Sequence, residues 1–129
     1  RPGRLYLDLG RVEVMASVEF NGKPLGILWK PPFRVEITDA VRPGSNDLKI
    51  TAVNLWPNRM IGDEQLPEDS ARRAGGTLEE WPDWLLTGAP SPTGRRTFAT
   101  WQPWKKDSPL LESGLLGPIM LTESQRLEE

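Results

Sequence analysis

The sequence predicts an all-β, antiparallel fold of the sandwich or barrel type. Three observations predict it. Apolar residues alternate with polar ones in several short runs, a period of two. Turn dipeptides punctuate the first half roughly every 8–12 residues. The chain carries 13 Pro and 12 Gly, so short elements joined by turns are expected rather than long helices.

The elements follow in order. Leu5, Leu7 and Leu9 alternate with Arg4, Tyr6 and Asp8, a half-buried strand closed by Gly10. Val12, Val14, Ala16, Val18 and Phe20 share one face of the next strand; Glu13, Met15, Ser17 and Glu19 share the other. Asn21-Gly22 accepts positive φ at both central turn positions and predicts a type I′ hairpin, a turn with no further role. The returning strand is Leu25–Trp29, weakened by Pro24 and Gly26. Pro31-Pro32 ends it. Phe33, Val35 and Ile37 mark another strand, and Thr38 or Asp39 is expected to cap a single turn through Val41. Pro43-Gly44-Ser45-Asn46 reads as a turn.

Leu48, Ile50 and Ala52 alternate with Lys49, Thr51 and Val53, and Trp56-Pro57 stops that strand because proline has no N–H to donate. A polar loop through Glu64 is expected to follow. From Pro57 to about Arg96 the periodicity fails. A loop of roughly forty residues is far above the usual four to six, and such loops are functional or disordered. Trp81 and Trp84 favour an ordered, packed one. Within it, Pro82–Leu86 reads as a short helix with Gly88 just past its end. Thr97–Trp101 reads as a strand, Gln102–Leu111 as a second loop, and Leu115–Thr122 as the last strand, with Pro118 demanding an edge or a bulge. Ser124–Glu129 is a polar tail. Six or seven strands are legible.

Composition sets bounds. The length of 129 residues fits one domain. The net charge of −2 gives no electrostatic case for nucleic acid or an anionic membrane surface. No apolar run approaches the ~20 residues of a membrane span. The chain begins Arg1-Pro-Gly and is expected to be an excised piece of a longer protein. With no Cys and no His, Ser-His-Asp and Cys-His catalysis and the usual zinc sites are excluded.

At this point the residues resemble a known group. Ala16-Ser-Val-Glu-Phe-Asn-Gly-Lys-Pro-Leu-Gly26, Pro32-Phe-Arg-Val-Glu-Ile-Thr-Asp39 and Pro43-Gly-Ser-Asn-Asp-Leu-Lys-Ile50 resemble the sugar-binding-like jelly roll of glycoside hydrolases. They are similar to the galactose-binding-like domain of the family-two enzymes. Leu7-Asp-Leu-Gly10, Asn54-Leu-Trp-Pro-Asn-Arg-Met-Ile-Gly-Asp63, Arg96-Thr-Phe98 and Ser113-Gly-Leu-Leu-Gly-Pro118 more closely resemble the C-terminal β-sandwich of α-L-rhamnosidase-like hydrolases.

The resemblance implies an antiparallel jelly-roll β-sandwich over residues 1–122, with a polar tail at 123–129. Strands missing from the usual eight are expected before Arg1. In this group the hydrolytic carboxylates belong to a separate (β/α)₈ barrel, so the resemblance implies a non-catalytic module of a bacterial enzyme acting on plant or host polysaccharide. Its implied location is periplasmic or extracellular, and its implied partners are carbohydrate or the catalytic barrel. No cofactor is implied. Jelly rolls hold structural calcium in some cases, but no loop here spaces its carboxylates to suit one.

The candidate contact residues are Trp56, Asn58, Arg59, Asp63, Trp101 and Trp104. Sugar rings present C–H faces that stack on indole, so exposed Trp among amide, guanidinium and carboxylate suits a glycan. The structural alternative is that Trp plugs a sandwich end, Arg59 pairs with Asp63 to pin a loop, and Asn54 and Asn58 satisfy backbone groups. Trp101 and Trp104, beside Lys105 and Asp107, are the stronger ligand candidates. Both loops are expected at one end of the fold, with Trp56, Asn58, Arg59 and Asp63 close to Trp101 or Trp104. A different class of function, a free-standing glycosidase, needs two carboxyls across a cleft, drawn from Asp39, Asp63, Glu64, Glu79, Asp83 and Asp107.

Overall fold

The computed structural model describes residues 3–125. Eight strands and two short helices occur among them: β1 (Arg4–Asp8), β2 (Arg11–Glu13), β3 (Met15–Phe20), β4 (Lys23–Leu28), β5 (Arg34–Glu36), β6 (Leu48–Val53), α1 (Pro57–Asp63), α2 (Asp83–Leu86), β7 (Gly114–Gly117) and β8 (Met120–Ser124). The chain divides into two compact units. One holds the chain through Leu55 and again from Glu112; the other is Trp56–Leu111.

Every strand belongs to the first unit, and every strand pairing is antiparallel. The sheets are β5-β1-β8, β2-β7 and β4-β3-β6. Its core is formed by Leu7, Leu9, Val12, Ala16, Val18, Phe20, Phe33 and Ile37, all buried. These are the inward positions of the alternation, as the period of a pleated strand requires. Truncating the fully buried Leu9 or Ile37 to Ala costs about 2–5 kcal/mol.

The strand expected over Val12–Phe20 keeps its single buried face but is two strands. The chain changes partners at Val14: β2 lies on β7, and β3 lies between β4 and β6. The Asn21-Gly22 hairpin has φ of 52° and 78°, as a type I′ turn needs. Asn21 is more than a turn residue, however. Its Nδ2 donates to the Ala40 carbonyl and to Asn46 Oδ1, both at 2.8 Å, and its Oδ1 accepts from the Asp47 N–H at 2.8 Å. Asn46 in turn closes the Pro43–Asn46 turn through Arg42 and Gly44. Two turns distant in sequence are tied by two amides.

Other expectations are corrected. Thr38 does not cap the following turn; its hydroxyl accepts from the Leu5 N–H and donates to Glu36, joining that turn to β1. Of the face read on β6, an outer strand of its sheet, only Ile50 packs on the core, while Leu48 and Ala52 are exposed. The last strand is split into β7 and β8 around Pro118. Glu123 and Ser124 end β8 rather than belonging to a tail. Residues 126–129 of the expected tail lie outside the described residues.

The long loop is the second unit. β6 ends at Val53, ahead of Trp56-Pro57, and Pro57 opens α1, where its missing N–H is one of the unpaired helix-start donors. The polar loop expected there is therefore a helix, anchored by buried Ile61 and Asp63. The helix expected near Pro82 is α2, with Pro82 before its first turn. The strand expected at Thr97–Trp101 does not form. The N–H groups of Arg96 and Thr97 donate to the Asp63 carboxylate instead of to a neighbouring strand. Among the described residues no helix is long and apolar enough to cross a membrane.

Candidate functional site

The second unit is built on charged groups rather than on a broad apolar core. Asp63, only 3% exposed, sits at the end of α1. Its Oδ2 accepts from the Arg96 N–H at 2.9 Å, the Thr97 N–H at 2.7 Å and the Thr97 hydroxyl at 2.6 Å. Burial alone would raise this carboxyl. The Thr97 hydroxyl, the two backbone donors and the Arg59 charge together outweigh burial and hold it below the ordinary carboxylate range.

Arg95 is the second anchor. Its guanidinium is 8% exposed and spends all three nitrogens: on the Pro67 carbonyl (2.8 Å), Glu64 (3.0 Å) and the Leu66 carbonyl (2.8 Å). Arg72 does the same with Glu68 (3.4 Å) and the carbonyls of Gly76 (3.1 Å) and Ala99 (2.8 Å). Planar guanidinium forks suit such convergent acceptors. Around them Trp84 donates its indole N–H to the Asp69 carbonyl, and Phe98 lies between Trp81 (5.9 Å) and Trp84 (6.0 Å, edge-on). The expectation that this segment is ordered and packed around Trp81 and Trp84 therefore has a physical basis.

Each candidate residue has a definite place. Trp56, at the start of α1, is 68% exposed. Asn58 is committed to backbone: its Nδ2 donates to the Leu111 carbonyl and its Oδ1 accepts the Leu111 N–H, both at 2.8 Å. Asn54 instead donates its Nδ2 to the Ser113 hydroxyl, a side chain rather than a backbone group. Arg59 is exposed and makes no ion pair with Asp63, whose Oδ2 instead accepts from Arg96 and Thr97. Trp101 is 59% exposed and Trp104 half-buried. Met60 of α1 and the following Glu64 line one cavity with Trp101 and Trp104, whereas Trp56, Asn58, Arg59 and Asp63 do not line it.

That cavity is about 20 Å³, room for a single water, and its polar walls include Glu64, Arg72, Arg95 and Gln102. The cleft on the other side of Met60 is of a different size. Trp56, Met60, Arg96, Thr97 and Phe98 enclose about 310 Å³. Met60, Arg96 and Phe98 were not among the candidates read from sequence. The available signals were the spacing of Trp56 and Met60, four apart on one helix face, and the Arg96-Thr-Phe98 motif.

Of the carboxylates an independent glycosidase would need, Asp63 and Glu64 are consumed by Thr97 and Arg95. Asp39, Glu79, Asp83 and Asp107 lie exposed in separate segments.

Comparison with known proteins shows a chain similar to part of two glycoside hydrolases. Over 118 residues, 92% of this chain, it is 51% identical to a protein of Formosa agariphila named "Putative beta-glucuronidase". It also resembles the solved structure of a rhamnosidase from Novosphingobium sp. PP1Y, with TM-score 0.62 and 35% identity over 92% of this chain. The chain spans about a tenth of each: 10% of the first and 9% of the second. No protein-family model matches it.

Proposed function

We propose that this chain is a non-catalytic accessory module, of jelly-roll type, within a larger bacterial glycoside hydrolase. The observation that carries the reading is the pairing of coverages. The likeness runs along nearly all of this chain yet along a small share of two named hydrolases. The engagement of Asp63 and Glu64 in structural bonds supports the same reading, because hydrolysis needs two carboxyls free to face a glycosidic bond. In this reading the parent acts on glycosides and works in the periplasm or outside the cell. The module meets either carbohydrate or the catalytic domain through the second unit's exposed aromatic side.

The test is direct. The isolated chain should give no turnover of aryl glycosides, and the parent enzyme lacking residues 1–122 should lose activity or stability. Turnover by the isolated chain would overturn the reading.

A further inference from the structure

We propose that the cleft of Trp56, Met60, Arg96, Thr97 and Phe98 binds an acidic sugar, a pyranose ring bearing a carboxylate. The ring lies on the Trp56 indole and the carboxylate on the Arg96 guanidinium. The sugar part of this proposal rests on the accessory-module reading above; the acid part rests on the cleft itself.

Size comes first. At about 310 Å³ the cleft stands at the lower end of small-molecule pockets, roughly 300–1,000 Å³. Its walls are held before any ligand arrives. Asp63 ties the backbone of Arg96 and Thr97 to α1, and Asn58 ties α1 to Leu111. Phe98 is fixed by Trp81 and Trp84. Binding then leaves chiefly the exposed Trp56 and Arg96 side chains to be ordered.

The chemistry follows from which groups are spent and which are not. The Thr97 hydroxyl is spent on Asp63. Arg72 and Arg95 are spent on carbonyls and carboxylates. The Arg96 side chain is exposed and, among the described residues, makes no hydrogen bond or ion pair. Polar recognition in this cleft therefore falls on one guanidinium, whose fork matches a carboxylate in two parallel bonds. The rest of the lining is indole, thioether and phenyl, which suits the C–H face of a ring.

The test uses the whole 129-residue chain, ¹⁵N-labelled, followed by NMR. Sodium glucuronate is the probe, with methyl β-glucoside as the neutral control and cyclohexanecarboxylate as the apolar acid. Trp56→Phe removes and so assigns one indole resonance. Glucuronate should shift that indole and the Arg96 amide. Both controls should bind at least tenfold more weakly, and Arg96→Ala should weaken glucuronate at least tenfold with the remaining amide spectrum unchanged. Equal binding of the glucoside would remove the carboxylate, and equal binding of cyclohexanecarboxylate would remove the sugar. No shift at Trp56 with tens of millimolar glucuronate would overturn the site altogether. None of these outcomes depends on whether the parent enzyme needs the module.

Discussion

Asp63 and Thr97 are joined twice through one oxygen: Oδ2 accepts the Thr97 N–H at 2.7 Å and the Thr97 hydroxyl at 2.6 Å. With the Arg96 N–H, three donors depend on that acceptor. Asp63→Ala leaves the two backbone donors without their acceptor, and an orphaned buried donor costs about 1–3 kcal/mol. The expected loss is roughly 3 kcal/mol of unfolding free energy in urea. Thr97→Val, which removes only the hydroxyl bond, should cost less than half of that.

The pH dependence follows from the same carboxylate. Its folded pKa is lowered, so the unfolded chain binds the proton more readily. The stability this provides is complete above the ordinary carboxylate value, about 3.9 for Asp, and is lost as pH falls through the lower folded value. Urea midpoints measured downward from pH 6 should therefore fall most steeply at and below about pH 4. Asp63→Asn should flatten that slope while lowering the midpoint at neutral pH.

Arg95 and Arg59 should behave oppositely on truncation. Arg95 is buried with three acceptors, and Arg95→Ala should cost about 3 kcal/mol by leaving Glu64 and two carbonyls unmatched. Arg59 is exposed and contacts Asp63 only through the field of its charge. Arg59→Ala should fall within about 0.5 kcal/mol of the native chain. Thermal unfolding of the two variants side by side checks the ranking, and a large loss for Arg59→Ala would contradict the placement of its side chain.

Two glycines of similar φ should differ widely. Gly22 has φ +78° with open space where a Cβ would stand, so Gly22→Ala costs only backbone strain, roughly 1–2 kcal/mol. Gly10 has φ +67°, and a Cβ there would lie 2.5 Å from the Gly117 carbonyl carbon and 2.6 Å from the Pro118 oxygen. Backbone cannot move aside as a side-chain tip can. Gly10→Ala should unfold the chain at a temperature well below that of Gly22→Ala.

The strands were legible because their cause is local. Leu7, Leu9, Ala16, Val18, Phe20 and Ile37 announce their buried faces by alternation alone, and Asn21-Gly22 announces its own turn geometry. Of the second unit, the short helix after Pro82 and the packing of Trp81 and Trp84 were legible, and the rest was not, because its order comes from partners far apart in sequence. Asp63 finds Thr97, Arg95 finds Leu66 and Pro67, and Arg72 finds Ala99 across tens of residues with no period to betray them. Pro57 was ambiguous for a physical reason: it suits the end of a strand and the first turn of a helix equally. Trp56 and Trp101 are exposed as a contact role needs, while Asn58 and Asp63 are spent on the chain's own backbone.

The clasp of Asn58 on Leu111 brings the two ends of the second unit together, and the Asn54–Ser113 bond does the same for the ends it leaves behind in the first. A segment whose entry and exit lie side by side is separable as a cassette. Closing the gap with a two- or three-residue turn removes loop entropy rather than a structural support, since closure cost grows only slowly with length. A chain shortened across Trp56–Leu111 should therefore keep the antiparallel sheets of the first unit.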